Sequence, residues 1–252
     1  MNAPAPSPAD EPEALQAFIA KWRVRWPEWS LAEVFVPRPQ RLVALAWAAL
    51  QQELMDAAWG GSDARPGEAK LLWWQEELHG WSLGRRRHPL GEALQRQRAP
   101  WGDLGAALPT LQDSRERPSD AAEAFERLLP LATAAAAIEQ ALFADAPFAE
   151  EFPGEPPARL LAATWLQARL ARTGALAAPL SALARHPRDD DPDAVETAWR
   201  QELVRAWPAA GQATRPRRLW AAIARARIAR GSADQPLAAW PALWTAWRAA
   251  RN

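Results

Sequence analysis

Residues 35–59 read FVPRPQRLVALAWAALQQELMDAAW, and residues 69–83 read AKLLWWQEELHGWSL. Ala, Leu, Gln and Glu, which are strong helix formers, dominate both stretches. In the first stretch Pro39 stands where a helix begins, and Gly60 follows immediately after its end. Proline at a helix start and glycine just past its end are the usual boundary residues. The first stretch therefore predicts a long helix over residues 39–59.

The same residue types continue through most of the chain, while β-branched residues are sparse and no segment alternates between apolar and polar residues. This pattern predicts an all-α protein. Ser119 and Asp120 are expected to cap its longest helix. The predicted helices cover residues 11–24, 39–59, 65–83, a short stretch after Pro89, 101–113, 119–144, 158–172, 175–185, 193–206, 214–230 and 238–250.

The composition excludes several classes of protein. The 252 residues are 49% hydrophobic, and 30 basic residues balance 30 acidic ones. Such a chain is too apolar and too balanced in charge for global disorder, and it lacks the basic excess of a nucleic-acid binder. Without cysteine there is no disulfide, cysteine nucleophile or cysteine-ligated metal. We expect a flexible Pro/Ala tail over residues 1–10 and one helical domain over residues 11–252.

The first residues, MNAPAPSPADEPEA, lack the basic and apolar regions of a secretory signal. No run of eighteen apolar residues without charge is present. We therefore expect a cytoplasmic protein that makes at most peripheral contact with a membrane and does not bind nucleic acid.

Other chemistry-bearing patterns are weak. His79, His88 and His186 lack the four-residue spacing of a zinc helix, and His88, before Pro89, is expected to cap or pack a helix start. The acidic run 189–193 contains Pro192, which favours a solvated turn and helix cap over a metal motif. Neither a Gly-x-Ser-x-Gly motif nor a glycine-rich phosphate loop is present.

Residues 84–94 read GRRRHPLGEAL. Together with the two stretches quoted first, they resemble the squalene/phytoene synthase family in order and spacing. That family carries an Arg-Glu-x-Asp-Asp-x-x-Asp type motif, then Lys-Leu-x-Trp-Trp-x-x-Glu-Leu and Gly-x-x-Arg-His-Pro. The resemblance covers roughly the first 95 residues. Further along, ATRPRRLWAAIARARIA at residues 213–229 is similar to the family's C-terminal Pro-Arg-Arg helix.

The resemblance implies an isoprenoid-synthase-like helical bundle around a deep apolar cavity. It also implies an enzyme that joins two prenyl diphosphates head to head, with Mg²⁺ held between two Asp-rich motifs on facing helices. A diphosphate leaving group carries several negative charges, so hard divalent cations with carboxylate ligands must neutralise it.

The first Asp-rich motif is degenerate in this sequence. When Glu53 is aligned with the glutamate of the family motif, Met55 stands at the first aspartate, Asp56 at the second and Trp59 at the last. Met and Trp do not bind Mg²⁺. Glu53 and Asp56 remain three residues apart on one helix face. They form either a solvated or salt-bridged helix face or a retained polar feature of the pocket.

The second Asp-rich motif is missing. No acidic residue lies between Glu155 and Asp189, and the helix ARLLAATWLQARLARTG, residues 158–174, offers Arg and Gln where carboxylates belong. The family's Tyr-Leu-Pro element is also absent, since the chain has no tyrosine. We therefore predict no metal site and no cofactor, with Mg²⁺ expected only if the protein is an active synthase.

Further residues are expected to surround the cavity. Lys70 and Glu77 lie seven residues apart on one helix stripe, a spacing that suits an ion pair at the cavity rim. The full set of rim candidates is Arg41, Lys70, Trp73 and Glu77. We expect Trp47, Trp59 and Trp165 to flank the cavity, narrowing it and making its mouth more apolar, so that it holds at most an uncharged lipid chain.

Two functions remain open, and whether the chain is an enzyme is undecided. In the first, it has lost prenyl transfer and binds an isoprenoid, another lipid or a protein partner. A mitochondrial factor for assembling respiratory complex I, which resembles these synthases but has lost their aspartates, is a precedent. In the second, it is an active prenyl diphosphate transferase of squalene, phytoene or hopanoid biosynthesis. The loss of Asp-rich motifs favours the first.

Overall fold

Helices account for nearly all regular structure, as the composition predicts. The computed structural model describes residues 11–144, 155–185, 192–211 and 213–251. Within these ranges the chain forms thirteen α-helices and three short 3-10 turns, and it forms no strand. The all-α prediction is confirmed.

The helices are numbered in chain order. The first seven are α1 (Glu11–Arg25), α2 (Trp29–Ala32), α3 (Arg41–Trp59), α4 (Arg65–Ser82), α5 (Gly91–Leu94), α6 (Trp101–Asp113) and α7 (Ala121–Glu126). The remaining six are α8 (Leu129–Phe143), α9 (Glu155–Thr173), α10 (Leu180–Arg185), α11 (Pro192–Arg205), α12 (Arg215–Ala229) and α13 (Ala239–Arg251).

The predicted helix over residues 119–144 is wrong in one respect, because the structure divides it into α7 and α8. Its start is as expected: the Asp120 side chain accepts a hydrogen bond from the backbone N–H of Glu123 at 2.9 Å. The chain then breaks at residues 127–128, since Pro130 lies in the first turn of α8. Proline lacks the N–H that a continuous helix needs and is accommodated best in the first turn of a helix.

The segment between α1 and α3 was predicted to contain no helix before residue 39, yet α2 forms there. Trp29 is buried and packs edge to face against Trp22, with 5.4 Å between ring centroids. Trp220 of α12 packs on Trp22 and on Trp26, each at 5.7 Å. The helix is therefore fixed by tertiary packing of tryptophans, which local propensity does not report.

The central helix is α3, in which every residue from Ala44 to Met55 is buried. It packs against α1, α4, α5, α6 and α9. A helix that is covered on all sides must bury its polar residues too, and Gln51, Gln52 and Glu53 are all buried. Gln51 and Glu53 find partners on neighbouring helices, and Gln51 also donates to the backbone oxygen of Trp47 within α3.

The buried apolar side chains of the long helices form one connected cluster from Leu15 to Ala246. No helix in the part of the chain that the structure describes has the length and apolar character needed to cross a bilayer. The expected tail over residues 1–10 lies outside the described residues, so that prediction is unchanged.

Candidate functional site

Glu53 lies near the end of α3 and is almost completely buried, with 5% of its side chain exposed. Its carboxylate accepts hydrogen bonds from the Nζ atoms of Lys21 on α1 and Lys70 on α4, the latter at 2.7 Å. Burial alone would raise the pKa of Glu53, but the hydrogen bonds and charges of the two lysines outweigh it and hold the pKa below its ordinary value. The carboxylate therefore stays ionised inside the bundle.

Asp56, one turn further along α3, is held in the same way. Its carboxylate accepts a charged hydrogen bond from Arg172 of α9. Lys21 and Arg25 of α1 each lie 3.5 Å from one of its oxygens. Lys21 thus contacts both carboxylates. The ion pairs of Glu53 and those of Asp56 therefore form one network that joins α1, α3, α4 and α9. We call it the carboxylate–cation cluster; its members are Glu53, Asp56, Lys21, Arg25, Lys70 and Arg172.

Glu53 and Asp56 form a salt-bridged helix face and not a solvated one, while the alternative, a retained polar feature of a pocket, stays a prediction. The cluster contains four cations and two anions, so its net formal charge is positive. The carboxylates are buried, whereas about half of the Lys21 side chain and 43% of the Lys70 side chain are exposed. The cationic ends therefore face water and the carboxylates lie beneath them.

The donor set does not fit a Mg²⁺ cluster. Mg²⁺ requires near-octahedral oxygen coordination, and each of the two carboxylates here is already paired with Lys or Arg. Met55 and Trp59, at the other two motif positions, carry no oxygen ligand. Among the residues described, no group of three His, Asp or Glu side chains is placed to hold a metal ion.

The helix expected to carry the second Asp-rich motif is α9, and its Arg172 pairs with Asp56 of α3. Besides Arg172, it contributes Gln167, which donates to the backbone oxygen of Ala233 at 2.6 Å. Arg169 donates to the backbone oxygen of Arg115 at 3.0 Å. Burial, together with neighbouring arginines, lowers the pKa of Arg169 to about 10. The resemblance implies a metal ion held between acidic side chains of two helices. Here α9 instead contributes the basic Arg172, which pairs with Asp56 of α3.

Trp59 is buried, and its indole N–H donates to Oγ of Ser114 on the segment after α6 at 3.0 Å. The space beside it is lined by Trp26, Met55 and Trp59, but also by the charged Arg25, Asp56 and Arg172. This space is therefore lined by both apolar and charged side chains, and the expectation of a more apolar mouth stays a prediction. The charged side chains lie here because they reach past the indole to pair with Asp56.

The three tryptophans expected to flank a cavity are buried, and each indole N–H has a partner in the bundle. Trp47 donates to Glu139 at 2.8 Å and Trp165 to Gln51 at 3.0 Å. The gap between these two indoles measures about 10 Å³, and so does the gap beside Trp59. Each is about the size of one water molecule. Neither space can hold the uncharged lipid chain that the sequence predicted.

A second buried ion pair lies at the centre of the bundle. Arg217 of α12 is 1% exposed and donates to Glu139 of α8, with Nε at 3.0 Å from Oε1. The same guanidinium donates through Nη2 to Oε1 of Gln51 on α3 at 2.7 Å. We call Glu139, Arg217 and Gln51 the central network. It joins α3, α8 and α12 through charged and neutral hydrogen bonds in the interior of the protein.

The predicted rim ion pair between Lys70 and Glu77 does not form. Lys70 pairs with Glu53, while Glu77 accepts hydrogen bonds from the Trp81 indole at 2.8 Å and from the backbone N–H groups of Arg87 and His88. Burial would raise the pKa of Glu77, but these hydrogen bonds lower it overall. Spacing along α4 did not reveal the partner because the 84–88 turn folds back over Glu77.

The other two rim candidates are structural. Arg41 donates to the backbone oxygens of Val36 and Val34, at 3.0 and 3.2 Å, and so closes the turn before α3. Trp73 is half-buried, with the guanidinium of Arg87 5.2 Å above its ring. His88 packs on Trp74, and its Nδ1 accepts from the backbone N–H of Leu90 at 3.1 Å, in keeping with the expected helix start.

The remaining sequence candidates are not joined to these sites. His79 is exposed on α4. His186 and Asp189 to Asp191 lie outside the described residues, so the predicted turn there is unchanged. Asp193 lies in the first turn of α11, where an acid interacts favourably with the helix dipole.

Sequence reasoning named Lys70 with the wrong partner and missed Lys21, Arg25 and Arg172, the other cations of the carboxylate–cation cluster. Lys21 and Lys70 are the only lysines in a chain with 30 basic residues, and both bind Glu53. That rarity was the one signal available, because Arg25 and Arg172 do not stand out among the many arginines. Glu139 gave no signal, and Arg217, 78 residues away, stood out only as part of the Pro-Arg-Arg stretch.

The comparisons do not extend these observations. A scan against protein-family models finds no match, and a search of curated proteins finds none. The resemblance to the squalene/phytoene synthase family therefore stays a prediction from motifs.

Proposed function

We propose that this chain is a non-catalytic relative of the squalene/phytoene synthase family, an isoprenoid-synthase-like bundle that binds a lipid or protein partner and does not transfer prenyl groups. One observation carries the proposal: Glu53 and Asp56, the acids left in the first Asp-rich motif, hold lysine and arginine side chains. The cations that a synthase would recruit as Mg²⁺ are here built into the chain.

The exchange has a chemical consequence. A bound Mg²⁺ offers open coordination positions and two charges to a departing diphosphate. An ammonium or guanidinium that is already hydrogen-bonded to a buried carboxylate offers less charge and cannot follow the leaving group. The lysines and arginines neutralise Glu53 and Asp56 without a metal ion. They do not supply the divalent charge that ionisation of a prenyl diphosphate requires.

The filled interior supports the same function. Within the part of the chain that the structure describes, Trp47, Trp165 and Gln51 of the central network line a gap of only about 10 Å³. A ligand-binding cavity for a small molecule commonly measures 300–1,000 Å³. A partner would therefore bind on the surface of the bundle, beyond these helices.

Calorimetric titration tests the proposal. The wild-type protein is titrated with Mg²⁺, with and without farnesyl diphosphate, and no metal-dependent complex should form. K70Q/R172Q removes one cationic partner from Glu53 and one from Asp56. In this variant, weak Mg²⁺ binding with a Kd in the millimolar range should appear. R96Q/R98Q, on the exposed segment after α5, removes the same charge elsewhere and serves as the control. Micromolar metal-dependent binding by the wild type would reverse the proposal.

The alternative is an active prenyl diphosphate transferase, and one observation favours it. The carboxylate–cation cluster has more cations than anions, and Lys21 and Lys70 reach solvent, where diphosphate oxygens could contact them. Incubation with farnesyl or geranylgeranyl diphosphate, followed by extraction and mass spectrometry, decides between the two. Formation of a head-to-head product that is lost in K21Q/K70Q would establish the alternative.

Restoring the motif is a further test. M55D/W59D supplies both missing carboxylates, but it places them at buried positions and removes the Trp59–Ser114 hydrogen bond. Burial of uncompensated charge should lower the free energy of unfolding by several kcal/mol. M55L/W59F, which keeps the volume apolar, should cost less than half as much. If M55D/W59D melts at the wild-type temperature, Trp59 does not occupy the core.

A further inference from the structure

The last helix exposes its tryptophans. Of the sixteen tryptophans in the chain, eleven are buried, whereas Trp240, Trp244 and Trp247 of α13 are 81%, 59% and 36% exposed. Spacings of four and three residues place them on one stripe of the helix. Ala242 and Ala246, on another side of α13, are buried. The helix therefore packs through small residues and presents its largest ones to the surroundings.

Positive charge is concentrated in the same part of the sequence. Residues 203–252 contain nine arginines and a single aspartate, in a chain whose net charge is zero. Two of the nine, Arg217 and Arg227, are buried against Glu139 and Glu28. The other seven still outnumber the single aspartate of this C-terminal stretch.

A groove of about 480 Å³ runs between the end of α11, α12 and α13. Its floor consists largely of alanines, and Trp207 and Trp244 form part of its wall. The ionisable side chains that line it are all arginines, namely Arg218, Arg225 and Arg248. Arg218 donates to the backbone oxygens of Ala213 and Ala249 and so fastens α13 to the segment before α12.

Trp247 extends this surface beyond the groove. It stacks on Trp244 with 4.9 Å between ring centroids, and the guanidinium of Arg251 lies 4.7 Å from its ring. We call the surface formed by these groups the Trp–Arg face; its members are Trp207, Trp240, Trp244, Trp247, Arg225, Arg248 and Arg251. All are half-buried or exposed.

We infer that the Trp–Arg face docks this protein on a bilayer that contains anionic lipids. Indole rings with an apolar body and a polar N–H prefer the boundary between headgroups and acyl chains. Arginine forms bidentate hydrogen bonds with phosphate oxygens, and a negatively charged leaflet attracts it. A helix that carries both on one surface has the composition of an interfacial helix.

The geometry favours a bilayer over a ligand or peptide held in the groove. Trp240, the most exposed of the tryptophans, does not line the groove, and neither does Trp247. An occupant of the groove would leave both in water, whereas an extended membrane surface would cover them together with Trp244. The inference goes beyond the proposed function and holds whether or not the chain transfers prenyl groups.

Co-sedimentation with vesicles tests it. The full chain should bind vesicles of phosphatidylcholine with 30% phosphatidylserine and release them as salt rises, and it should bind pure phosphatidylcholine weakly. R248Q/R251Q should reduce the partition coefficient about 25-fold, at about fivefold for each arginine. W240A/W244A should reduce it at least about tenfold, because two exposed indoles no longer insert.

Two matched controls separate docking from general stickiness. R96Q/R98Q removes the same charge from the segment after α5, and L72A/L83A removes exposed apolar side chains that are 60% and 57% exposed. Both should bind vesicles like the wild type. In the wild type, brominated phosphatidylserine vesicles should quench tryptophan fluorescence, a readout that requires no variant.

Three outcomes would overturn the inference. The first is no binding to anionic vesicles, including the case in which an acidic amphipathic peptide binds the Trp–Arg face instead. The second is equal binding to neutral and anionic vesicles, which would remove the role of the arginines. The third is an equal loss of binding in R96Q/R98Q and R248Q/R251Q, which would make net charge alone responsible.

Discussion

Glu53 receives its two hydrogen bonds from lysines that are 32 and 17 residues away in the sequence. A buried carboxylate is stable only if it is paired, and here two donors share that task from opposite sides. Each lysine is partly exposed, so its ion pair alone contributes little to the free energy of unfolding, because water also solvates the ammonium group. The pairing matters through the carboxylate, which has no other described partner.

The two lysines should therefore act non-additively. K21M and K70M are each expected to lower the free energy of unfolding by about 1 kcal/mol, because one lysine still neutralises Glu53. K21M/K70M should lower it by about 3–5 kcal/mol, since the carboxylate is then buried unpaired. Urea denaturation at pH 7 measures these values. Adding E53Q to the double variant should recover most of the loss, and a strictly additive pair would contradict the shared role.

His88 should make stability depend on pH. Burial lowers the pKa of His88 to about 4, from 6.5 in the unfolded chain, and its Nδ1 must be unprotonated to accept from Leu90. The unfolded state therefore binds more protons, and stability falls as pH drops from about 6.5 towards 4. The loss should reach about 3 kcal/mol, at 1.36 kcal/mol per pKa unit.

Urea denaturation of wild type and H88N between pH 7 and pH 4 checks this dependence. H88N should flatten the curve in that window, while H79N, at an exposed position of α4, should leave it unchanged. The lowered pKa values of Glu53 and Glu77 act in a different range: their contribution is complete above pH 4.5 and is lost only as pH falls through the lowered values. A wild-type curve that stays flat between pH 6.5 and 4.5 would contradict the burial of His88.

At the scale of helices, propensity and boundary residues predicted most elements to within a few residues. The helices α3, α4 and α6 begin and end close to where proline, glycine and strong helix formers placed them. Two errors share a cause, because Pro130 and Pro179 lie where new helices begin inside segments predicted as continuous, whereas α2 was missed because tryptophan packing fixes it. Helix partners were harder to predict, since Glu77 finds only the Trp81 indole along α4 and its other donors in the turn at Arg87 and His88.

Close packing of α3 and α4 depends on Gly67. A β-carbon at this position would lie 2.1 Å from the backbone oxygen of Ala57. G67A should therefore lower the free energy of unfolding by about 1–3 kcal/mol, although alanine is the better helix former. G102A in α6 is the control, because a β-carbon there would meet only Ser82 side-chain atoms at 3.7 Å or more.

Thermal melting of both glycine variants checks the packing. G102A should melt at or above the wild-type temperature, because the higher helix propensity of alanine raises the free energy of unfolding by up to about 1 kcal/mol. If G67A also melts at or above the wild-type temperature, α4 is free to move away from α3, and the contact does not fix their separation.

At the scale of the molecule, the sequence pointed to Glu53 and Asp56 but not to what neutralises them. Their position followed from the order of motifs along α3 and α4. Their partners come from α1 and α9, so the chain had to be folded before Lys21 and Arg172 could be linked to them. The net charge of zero likewise does not show that arginines concentrate near the C-terminus. Which of them stay exposed depends on the fold, because Arg217 and Arg227 are buried against glutamates.

The central network joins α3, α8 and α12 through one buried guanidinium. E139L would leave Arg217 without its carboxylate, and R217M would leave Glu139 with only the Trp47 indole as a donor. Each single change should lower the free energy of unfolding by about 3–5 kcal/mol, because a charge is buried unpaired. E139L/R217M removes both charges, so its cost should be no more than about 3 kcal/mol, from the polar partners left behind.

The coupling energy of this double-mutant cycle should therefore be about 3 kcal/mol or more, measured by urea denaturation at pH 7. The buried pair of Arg227 and Glu28 offers a cross-check. Arg227 lies on α12, as Arg217 does, but it binds a different glutamate. Combining R217M with E28L breaks two different pairs, so those costs should add to within about 0.5 kcal/mol. Equal coupling in the two cycles would mean that loss of α12 as a whole, and not the Arg217–Glu139 pair, sets the stability. A large coupling confined to E139L/R217M would place that pair at the centre of cooperative unfolding.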